Sequence, residues 1–379
     1  MQRDIKNSNI DIVLPWVNGN DSEWKLERKK YEDPRYDEQA LADYRFNDWE
    51  LLKYWFRAIE TCLPWFNKVF LITCGHFPDF LNKDCPKLKI IKHSDYIPNE
   101  FLPTFNSNTI EMNLFRIEDL SENFILFNDD LFPIVPFSED YFFYNGKVCD
   151  EAIESVLIAK GTGLRTGLNT TWNNMTVINK NFDKRKCKAE HFDVWFSTNY
   201  GEDYLKRNFL MQYWDFFAGF TNKHMANSYK KSMFKKVYEK NKEALDAAFK
   251  NRFRGYNDLT HWLVRYWQLC EGDIHPRLTL GKSYRVFLEN CEEIAQEIEA
   301  KKYPMVCINE FCTADEFTPM KQRMQKAFET LFPTPSSFEN VWGGVQQYSI
   351  ITSCRHSEPV GFALGETSPH YVSSYKEAA

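Results

Sequence analysis

Short β-rich runs alternate with amphipathic segments through the first third of the chain. From Leu51 to Cys62 apolar residues recur at three- and four-residue steps, which predicts a helix with Asp48 as its cap. The β-rich runs are Ile10 to Val17, Val69 to Thr73, Leu88 to Lys92 and Phe124 to Phe127. Strands that alternate with helices indicate stacked βα units around a mostly parallel sheet. We therefore predict an α/β fold.

The rest of the chain has a different pattern. Residues 136–200 contain many Asn residues and three glycines around Arg165, which predicts loops or an irregular subdomain. Helical spacing returns at Lys230 to Phe249, Asp258 to Leu269 and Ser283 to Lys301. We therefore predict a helical C-terminal part.

Composition places the chain among globular proteins without membrane spans. It has 379 residues, of which 43% are hydrophobic and 26% are charged, and this excludes collagen-like, disordered and coiled-coil classes. The apolar runs are far shorter than the roughly 18 residues of a membrane helix, and residues 1–9 are polar, without a secretory segment. We therefore expect a cytoplasmic protein.

Net charge and cysteine spacing argue against further classes of protein. The formal net charge of −6 argues against a general nucleic-acid binder. The ten cysteines include no C-x-x-C pair, so we expect reduced, mostly buried thiols and no structural zinc site. Six lysines between Lys230 and Lys242 indicate either a solvated helix face or contact with a membrane surface.

Adjacent carboxylates follow the buried run at Phe124 to Phe127. Asp129 and Asp130 would stand at the carboxyl end of a strand, where ligands bind in open α/β sheets. Two carboxylates side by side repel each other unless a cation or solvent offsets their charge. The pair therefore predicts a magnesium site beside substrate phosphates, with a capped turn as the alternative.

Two further segments carry candidate chemistry. The loop Leu102 to Ser107 leads into a helix in which Asn108 and Glu111 have capping-box spacing. Arg252 and Arg254 are suited to bidentate recognition of phosphate, before Asn257 or Asp258 caps the next helix; two surface arginines are the alternative.

Single residues outside these segments complete the set of candidates. His224, one of eight histidines, is a candidate general base near neutral pH. The aromatic residues Trp16, Phe105 and Tyr256 would either stack on a base or sugar or pack in the core.

These motifs, in this order, resemble the Stealth family of sugar-phosphate transferases. Ile10 to Val13 with Trp16 to Asp21 resembles the first signature block of that family, in which Pro15 and Asn18 depart from the usual Thr and Asp. The stretch around His224 resembles the third block, and Arg252 to Asp258 resembles the fourth. Pro333 to Glu339 is also similar to the family. The second block is matched by Arg45-Phe46, Asp48, Glu50-Leu51, Tyr54, Arg57 to Glu60, Pro64-Trp65, the Leu102 to Ser107 loop, Ile110-Glu111 and Asn128 to Asp130, with Phe115 where His is common.

The resemblance implies a fold and a reaction. It implies a Rossmann-like or GT-A-like core that binds a nucleotide-sugar, with residues 1–275 as the catalytic domain and 276–379 as an accessory region. The reaction it implies is transfer of a sugar 1-phosphate, from a donor such as a UDP-sugar, to a hydroxyl of a glycan or lipid-linked oligosaccharide. A phosphodiester of a capsular or cell-surface polysaccharide would form, and a nucleoside monophosphate would leave. Such an acceptor would bring the protein to the inner face of the cell membrane.

The resemblance also implies roles for individual residues. Asp129 and Asp130 would hold Mg²⁺ or Mn²⁺, His224 would accept the proton of the acceptor hydroxyl, and Arg252 and Arg254 would stabilise the charge on phosphorus. The residues that would shape the substrate pocket are Trp16, Asp21, Arg45, Arg57, Thr104, Asn106, Ser107, Glu111 and Asn257. Two alternatives stay open: a metal-dependent glycosyltransferase that releases UDP, and a glycan-binding protein without catalysis.

Overall fold

The computed structural model describes residues 9–33, 41, 48–158, 166–310 and 314–340. Its strands are β1 (Ile10–Pro15), β2 (Val69–Thr73), β3 (Leu88–Lys92), β4 (Asn123–Leu126), β5 (Leu131–Pro133), β6 (Phe143–Tyr144), β7 (Lys147–Asp150), β8 (Asn227–Lys230), β9 (Ile274–Pro276), β10 (Lys282–Val286) and β11 (Met305–Glu310). Its α-helices are α1 (Ser22–Lys29), α2 (Leu52–Cys62), α3 (His93–Tyr96), α4 (Ser107–Met112), α5 (Thr166–Asn181), α6 (Lys184–Glu190), α7 (Phe192–Trp195), α8 (Glu202–Leu210), α9 (Lys231–Lys240), α10 (Lys242–Phe249), α11 (His261–Cys270), α12 (Cys291–Glu299) and α13 (Ala314–Leu331).

The central sheet has five strands in the order β3-β2-β1-β4-β8. The first four run parallel, and β8 pairs antiparallel with β4 at the edge. Val13 in the middle of β1 is paired with Phe70 of β2 and Leu126 of β4. Every residue of β2 is buried, as expected for a parallel strand covered on both faces. The predicted mixed α/β fold is therefore confirmed.

Two smaller sheets accompany the central one. In the sheet β10-β11-β5, β11 lies between a parallel β10 and an antiparallel β5. The other small sheet has the order β6-β7-β9. The C-terminal part was predicted to be helical, and it does contain α12 and α13. The strands β10 and β11 were not predicted, and residues 283–286, expected in a helix, belong to β10.

Several local predictions are confirmed and others are wrong. The bounds of β2 and β3 are as predicted, and Lys230 to Phe249 is helical from Lys231, as α9 and α10. Asp48 does not cap α2, because its carboxylate accepts a hydrogen bond from the Glu50 amide (2.7 Å) and the helix begins at Leu52. The loop-rich prediction for 136–200 is wrong from residue 166 onward, where α5, α6 and α7 lie, and Arg165 lies outside the described residues.

Buried polar groups fix the position of β1 in the core. The carboxylate of Asp11, 1% exposed, accepts hydrogen bonds from the Asn67 side chain and the Ser121 amide, both at 2.8 Å. Since an unpaired buried carboxylate is costly, these two bonds hold the loops before β2 and β4 against β1. The described cysteines are thiols outside disulfide bonds, all buried except Cys74, as predicted. No helix within the described ranges is both long and apolar enough to cross a membrane.

Candidate active site

Asp130 lies at the end of the turn that joins β4 to β5. Its backbone carbonyl accepts a hydrogen bond from the Ile308 amide of β11 (3.0 Å). Its carboxylate atom Oδ2 is 3.4 Å from Nε2 of His224 and accepts a hydrogen bond from the Cys307 thiol (3.2 Å). The other atom, Oδ1, is buried and has no hydrogen-bond partner among the described residues. Asp129 beside it is exposed.

His224 lies in the segment just before β8, and its side chain is 40% exposed. Burial lowers the pKa of His224, but its hydrogen bond to Asp130 and the charges of Asp130 and Glu111 raise it by more, so the net shift is upward. The imidazole is therefore a stronger base than an ordinary histidine, and Asp130 fixes the orientation of its ring.

A second carboxyl group lies behind His224. Glu111 in α4 is 5% exposed, and burial raises its pKa to about 7, although the charges of Arg254 and His224 oppose this shift. Its atom Oε2 is 3.8 Å from Nε2 of His261, whose Nδ1 is 2.7 Å from the Tyr229 hydroxyl. Burial lowers the pKa of His261 to about 3, so this ring is neutral. The site thus contains a carboxyl group able to change charge near neutral pH.

The two arginines of the 250–258 segment have different surroundings. Arg254 donates a hydrogen bond from Nη2 to the Ser107 hydroxyl (2.9 Å), and its charge acts on both Glu111 and His224. Arg252 donates to the Pro103 carbonyl, and its guanidinium lies 4.8 Å from the centre of the Tyr31 ring. The structure therefore brings Arg254 to the group around His224 and places Arg252 against the loop that precedes α4.

Asp258 joins that loop to the arginine segment. Its buried carboxylate accepts hydrogen bonds from the side chains of Asn106 (2.8 Å), Asn108 (3.0 Å) and Asn251 (2.7 Å) and from the Gly255 amide (3.0 Å). Neither predicted cap is correct. Asn106 caps α4 by accepting from the Asn108 amide, and the Thr260 hydroxyl, rather than Asn257 or Asp258, caps α11.

The remaining residues predicted to shape the pocket are in the following positions. Thr104 is buried and accepts from the Asn106 amide (3.2 Å), while Asn257 is exposed and accepts from the Asn251 side chain (2.6 Å). After β1, Trp16 packs edge-on against His76 with ring centres 5.4 Å apart. Asp21 caps α1 by accepting from the Trp24 amide (2.7 Å).

One predicted pocket residue, Arg57, is not brought to this group. Arg57 forms a bidentate ion pair with Glu339, with Nε–Oε1 at 2.8 Å and Nη2–Oε2 at 2.6 Å. It also donates to the Phe332 carbonyl (2.9 Å). Arg45 lies outside the described residues.

Sequence reasoning missed two members of the group. His261 begins α11, and Cys307 lies in β11, a strand that was not predicted. The apolar spacing of α11 indicates which of its faces is buried, but nothing local marks His261 as a neighbour of Glu111. Cys307 reaches Asp130 only because β11 pairs with β5, a contact between residues 177 positions apart in the chain.

The donors around Asp130 offer two kinds of cation site. The adjacent carboxylates of Asp129 and Asp130 are oxygen ligands of the type that Mg²⁺ prefers, and the unpartnered Oδ1 fits such an ion. Oδ2 faces nitrogen and sulfur instead. The ligand atoms of Asp130, His224 and Cys307 all lie within 4.8 Å of one another.

Comparison with known proteins identifies the family. Family models match residues 8–33, described as Stealth protein CR1, conserved region 1; residues 45–150, as Stealth protein CR2, conserved region 2; and residues 296–350, as Stealth protein CR4, conserved region 4. The fourth block was therefore wrongly placed at Arg252 to Asp258, whereas the weaker likeness at Pro333 to Glu339 falls inside the matched region. The strand β11 and the helix α13 lie inside the matched region.

The chain aligns with nearly the whole length of several similar proteins. The chain is 42% identical over 332 residues to the capsular polysaccharide phosphotransferase WcwK of Streptococcus pneumoniae. This alignment covers 87% of this chain and 98% of that protein. It is 33% identical to the exopolysaccharide phosphotransferase cps2G of Lactiplantibacillus plantarum (87% and 96%) and 32% identical to the receptor polysaccharide phosphotransferase WefC of Streptococcus gordonii (87% and 98%). With these relatives and three matched regions, the chain belongs to the Stealth family.

Proposed function

We propose that this protein transfers a sugar 1-phosphate from a nucleotide-sugar, a UDP-sugar in the first instance, to a hydroxyl group of a glycan. The product is a phosphodiester of a capsular or other cell-surface polysaccharide, and the nucleoside monophosphate leaves. The observation that carries the proposal is the Asp130–His224 pair, 3.4 Å apart, with Glu111 and Arg254 in the same electrostatic group. The names of the relatives, all polysaccharide phosphotransferases, support the reaction class.

The order of the central sheet supports a site for the donor. In the order β3-β2-β1-β4, the chain adds β2 and β3 on one side of β1 and then places β4 on its other side, so the strand order reverses at β1. Ligands of open α/β sheets bind at such a switch point, outside the carboxyl ends of the strands. The segment Trp16 to Asp21 follows β1, and Asn128 to Asp130 follows β4. We place the nucleotide diphosphate between these two segments, as in a Rossmann-like core.

His224 is the proposed general base. A hydroxyl group attacks phosphorus poorly while it keeps its proton, and a positioned base with a pKa near the working pH removes that proton effectively. The upward shift of the His224 pKa, caused by Asp130 and Glu111 against the effect of burial, strengthens the base. Glu111, with a pKa of about 7, can gain or lose a proton near neutral pH, and so change the charge of the site as the acceptor proton moves to His224.

Arg254 is the proposed stabiliser of the phosphoryl group. Charge builds up on the phosphoryl oxygens during transfer, and a fixed guanidinium offsets it without reorganisation of solvent. The hydrogen bond to Ser107 fixes one Nη atom of Arg254. Arg252 supports the same region from its place between Pro103 and Tyr31.

Asp129 and Asp130 are the proposed ligands of Mg²⁺ or Mn²⁺. Such an ion would neutralise part of the negative charge of the donor diphosphate. Asp130 would then have two functions, since the unpartnered Oδ1 would be available to the ion while Oδ2 orients His224. An acceptor linked to lipid would bring the protein to the inner face of the membrane.

The identity of the released nucleotide tests the proposal. The purified protein is incubated with Mg²⁺, a panel of UDP-sugars and an acceptor glycan extract, and the nucleotide products are identified by mass. UMP that appears only with metal, and that falls at least about 100-fold in His224→Gln, is the expected result. His275→Gln, which changes a histidine packed on Tyr144, is the matched control and keeps its activity. Release of UDP would instead make the protein a glycosyltransferase and contradict the proposal.

A further inference from the structure

Three different metal-ligating side chains meet at one point of the structure. Asp130 comes from the turn after β4, His224 from the segment before β8 and Cys307 from the middle of β11. His224 Nε2 and Cys307 Sγ lie 3.4 Å and 3.2 Å from the same atom, Asp130 Oδ2, and the three ligand atoms are all within 4.8 Å of one another. The two separations at Oδ2 are close to the edges of a tetrahedron with metal–ligand bonds of about 2.0 to 2.3 Å.

A second observation points to a cation at the same place. The sulfur of Cys307 has a donor of its own, because the Asn309 side-chain amide lies 2.9 Å from Sγ. A hydrogen bond of this kind stabilises a thiolate and is typical of the shell around a metal-bound cysteine.

The chemistry of the donors selects the metal. Mg²⁺ prefers oxygen ligands in octahedral geometry, whereas Zn²⁺ accepts one carboxylate, one imidazole and one thiolate in a tetrahedral site. Three protein ligands leave the fourth position open for water or substrate, as in zinc sites that are not purely structural. Because His224 is 40% exposed, solvent reaches this position from its side.

We propose that Asp130, His224 and Cys307 form a binding site for Zn²⁺ or a similarly thiophilic divalent cation, which shares Asp130 with the carboxylate site for Mg²⁺ but uses its atom Oδ2. On binding, a Zn–S bond forms, the S–H bond of Cys307 breaks, and the proton leaves to solvent. Asn309 then donates its hydrogen bond to the bound thiolate.

Zinc at this site would inhibit the transferase, a consequence that rests on the proposed function. The ion would take the Nε2 lone pair of His224, which the reaction needs for the acceptor proton, and the carboxylate that orients this ring. We therefore expect Zn²⁺ to inhibit turnover in the presence of excess Mg²⁺. Each rate is expressed relative to that of the same protein without zinc. On this scale, half inhibition of Cys307→Ser requires at least about tenfold more Zn²⁺ than half inhibition of the wild type.

Cobalt spectroscopy tests the site without substrate, so its outcome does not depend on turnover. Cys74→Ser is used as the background, because the exposed Cys74 sulfur lies 3.5 Å from His76 Nδ1 and offers a competing site. Titration with Co²⁺ is expected to give one bound ion per chain and the near-ultraviolet charge-transfer band of a thiolate ligand. Addition of Zn²⁺ displaces the cobalt and removes the band.

Matched variants assign the ligand. Cys307→Ser abolishes the band, whereas Cys85→Ser, at another buried cysteine, retains it. Absence of the band in the background protein, its persistence in Cys307→Ser, or its loss in Cys85→Ser would each overturn the proposal. Should Cys307→Ser unfold, His224→Gln at the more exposed ligand decides the matter by calorimetric titration with Zn²⁺. Affinity at least about tenfold weaker supports the site, and unchanged affinity contradicts it.

Discussion

The buried surroundings of Glu111 disfavour the charged form of its side chain. Its carboxyl group is 5% exposed, and burial raises its pKa from 4.5 to about 7, which corresponds to a free energy on the order of 3 kcal/mol. A raised pKa means that the folded protein binds the proton more tightly than the unfolded chain. The stabilisation is therefore complete below about pH 4.5 and is lost as the pH rises through about 7.

Glu111→Gln removes this loss. We expect the stability of the variant, relative to the wild type, to increase by on the order of 3 kcal/mol between pH 4.5 and pH 8, measured by urea unfolding in the presence of a chelator. Glu118→Gln, at an exposed position in the turn before β4, controls for the change in net charge. Parallel stability curves for wild type and Glu111→Gln would show that Glu111 does not titrate in this range.

The two arginines are distinguished by their partners. Arg254 acts on His224 and Glu111, so Arg254→Gln is expected to lower kcat by roughly 10²- to 10³-fold, as loss of a transition-state donor does. Arg252→Gln is expected to lower kcat by less than tenfold, because its guanidinium contacts Pro103 and Tyr31. Initial rates of nucleotide release measure both. Equal losses in the two variants, with unchanged unfolding midpoints, would contradict this distinction.

At the scale of elements, the site depends on two loops that meet at Asp258. Asp258→Ala removes the acceptor of four hydrogen bonds, three from side-chain amides and one from a backbone amide, and we expect a loss of stability on the order of 3 kcal/mol. The same change releases the segment that carries Arg254, so kcat falls as well. Urea unfolding and nucleotide-release rates are the measurements.

A surface aspartate provides the comparison for this change. Asp119→Ala removes an exposed ion pair with Lys89 (3.2 Å) and is expected to cost at most about 1 kcal/mol. If Asp258→Ala cost no more than Asp119→Ala, the hydrogen bonds at Asp258 would not hold the two loops together.

The sequence predicts the elements whose pattern is local. Val69 to Thr73 has correct bounds, because an apolar run buried on both faces of a parallel sheet is visible in the residues themselves. Leu88 to Lys92, at the edge of the sheet and only partly buried, also has correct bounds. Strand β11 was missed since its identity depends on pairing with β5 and β10, far away in the chain. The caps of α2 and α11 were missed because Asp48 and Asp258 are engaged by other groups.

The same distinction applies to the candidate site. Asp130, His224 and Arg254 were predicted from motifs and were brought together by the fold. Cys307 and His261 have no motif of their own in this reasoning, and only tertiary contacts place them beside Asp130 and Glu111. Chemistry that comes from one segment can be predicted from sequence, whereas chemistry shared by distant segments requires the structure.

At the scale of the whole molecule, an ion pair joins the first half of the chain to conserved region 4. Arg57 of α2 and Glu339 are 10% and 9% exposed and form two hydrogen bonds, at 2.8 Å and 2.6 Å. Phe56 beside Arg57 stacks on Phe338 with ring centres 4.8 Å apart. Residues 332–340 are thus fastened to a helix that packs on the central sheet.

A double-mutant cycle measures this connection. Arg57→Met and Glu339→Met each leave the other charge buried without its partner, and each is expected to cost about 3 to 5 kcal/mol. The double variant restores neutrality and is expected to be more stable than the sum of the single changes by at least about 2 kcal/mol, measured by urea unfolding. Additive losses would mean that the two side chains are independently solvated, and the C-terminal segment would then be held by its aromatic contacts and its other hydrogen bonds, such as that from the Asn82 amide to the Phe338 carbonyl (2.8 Å).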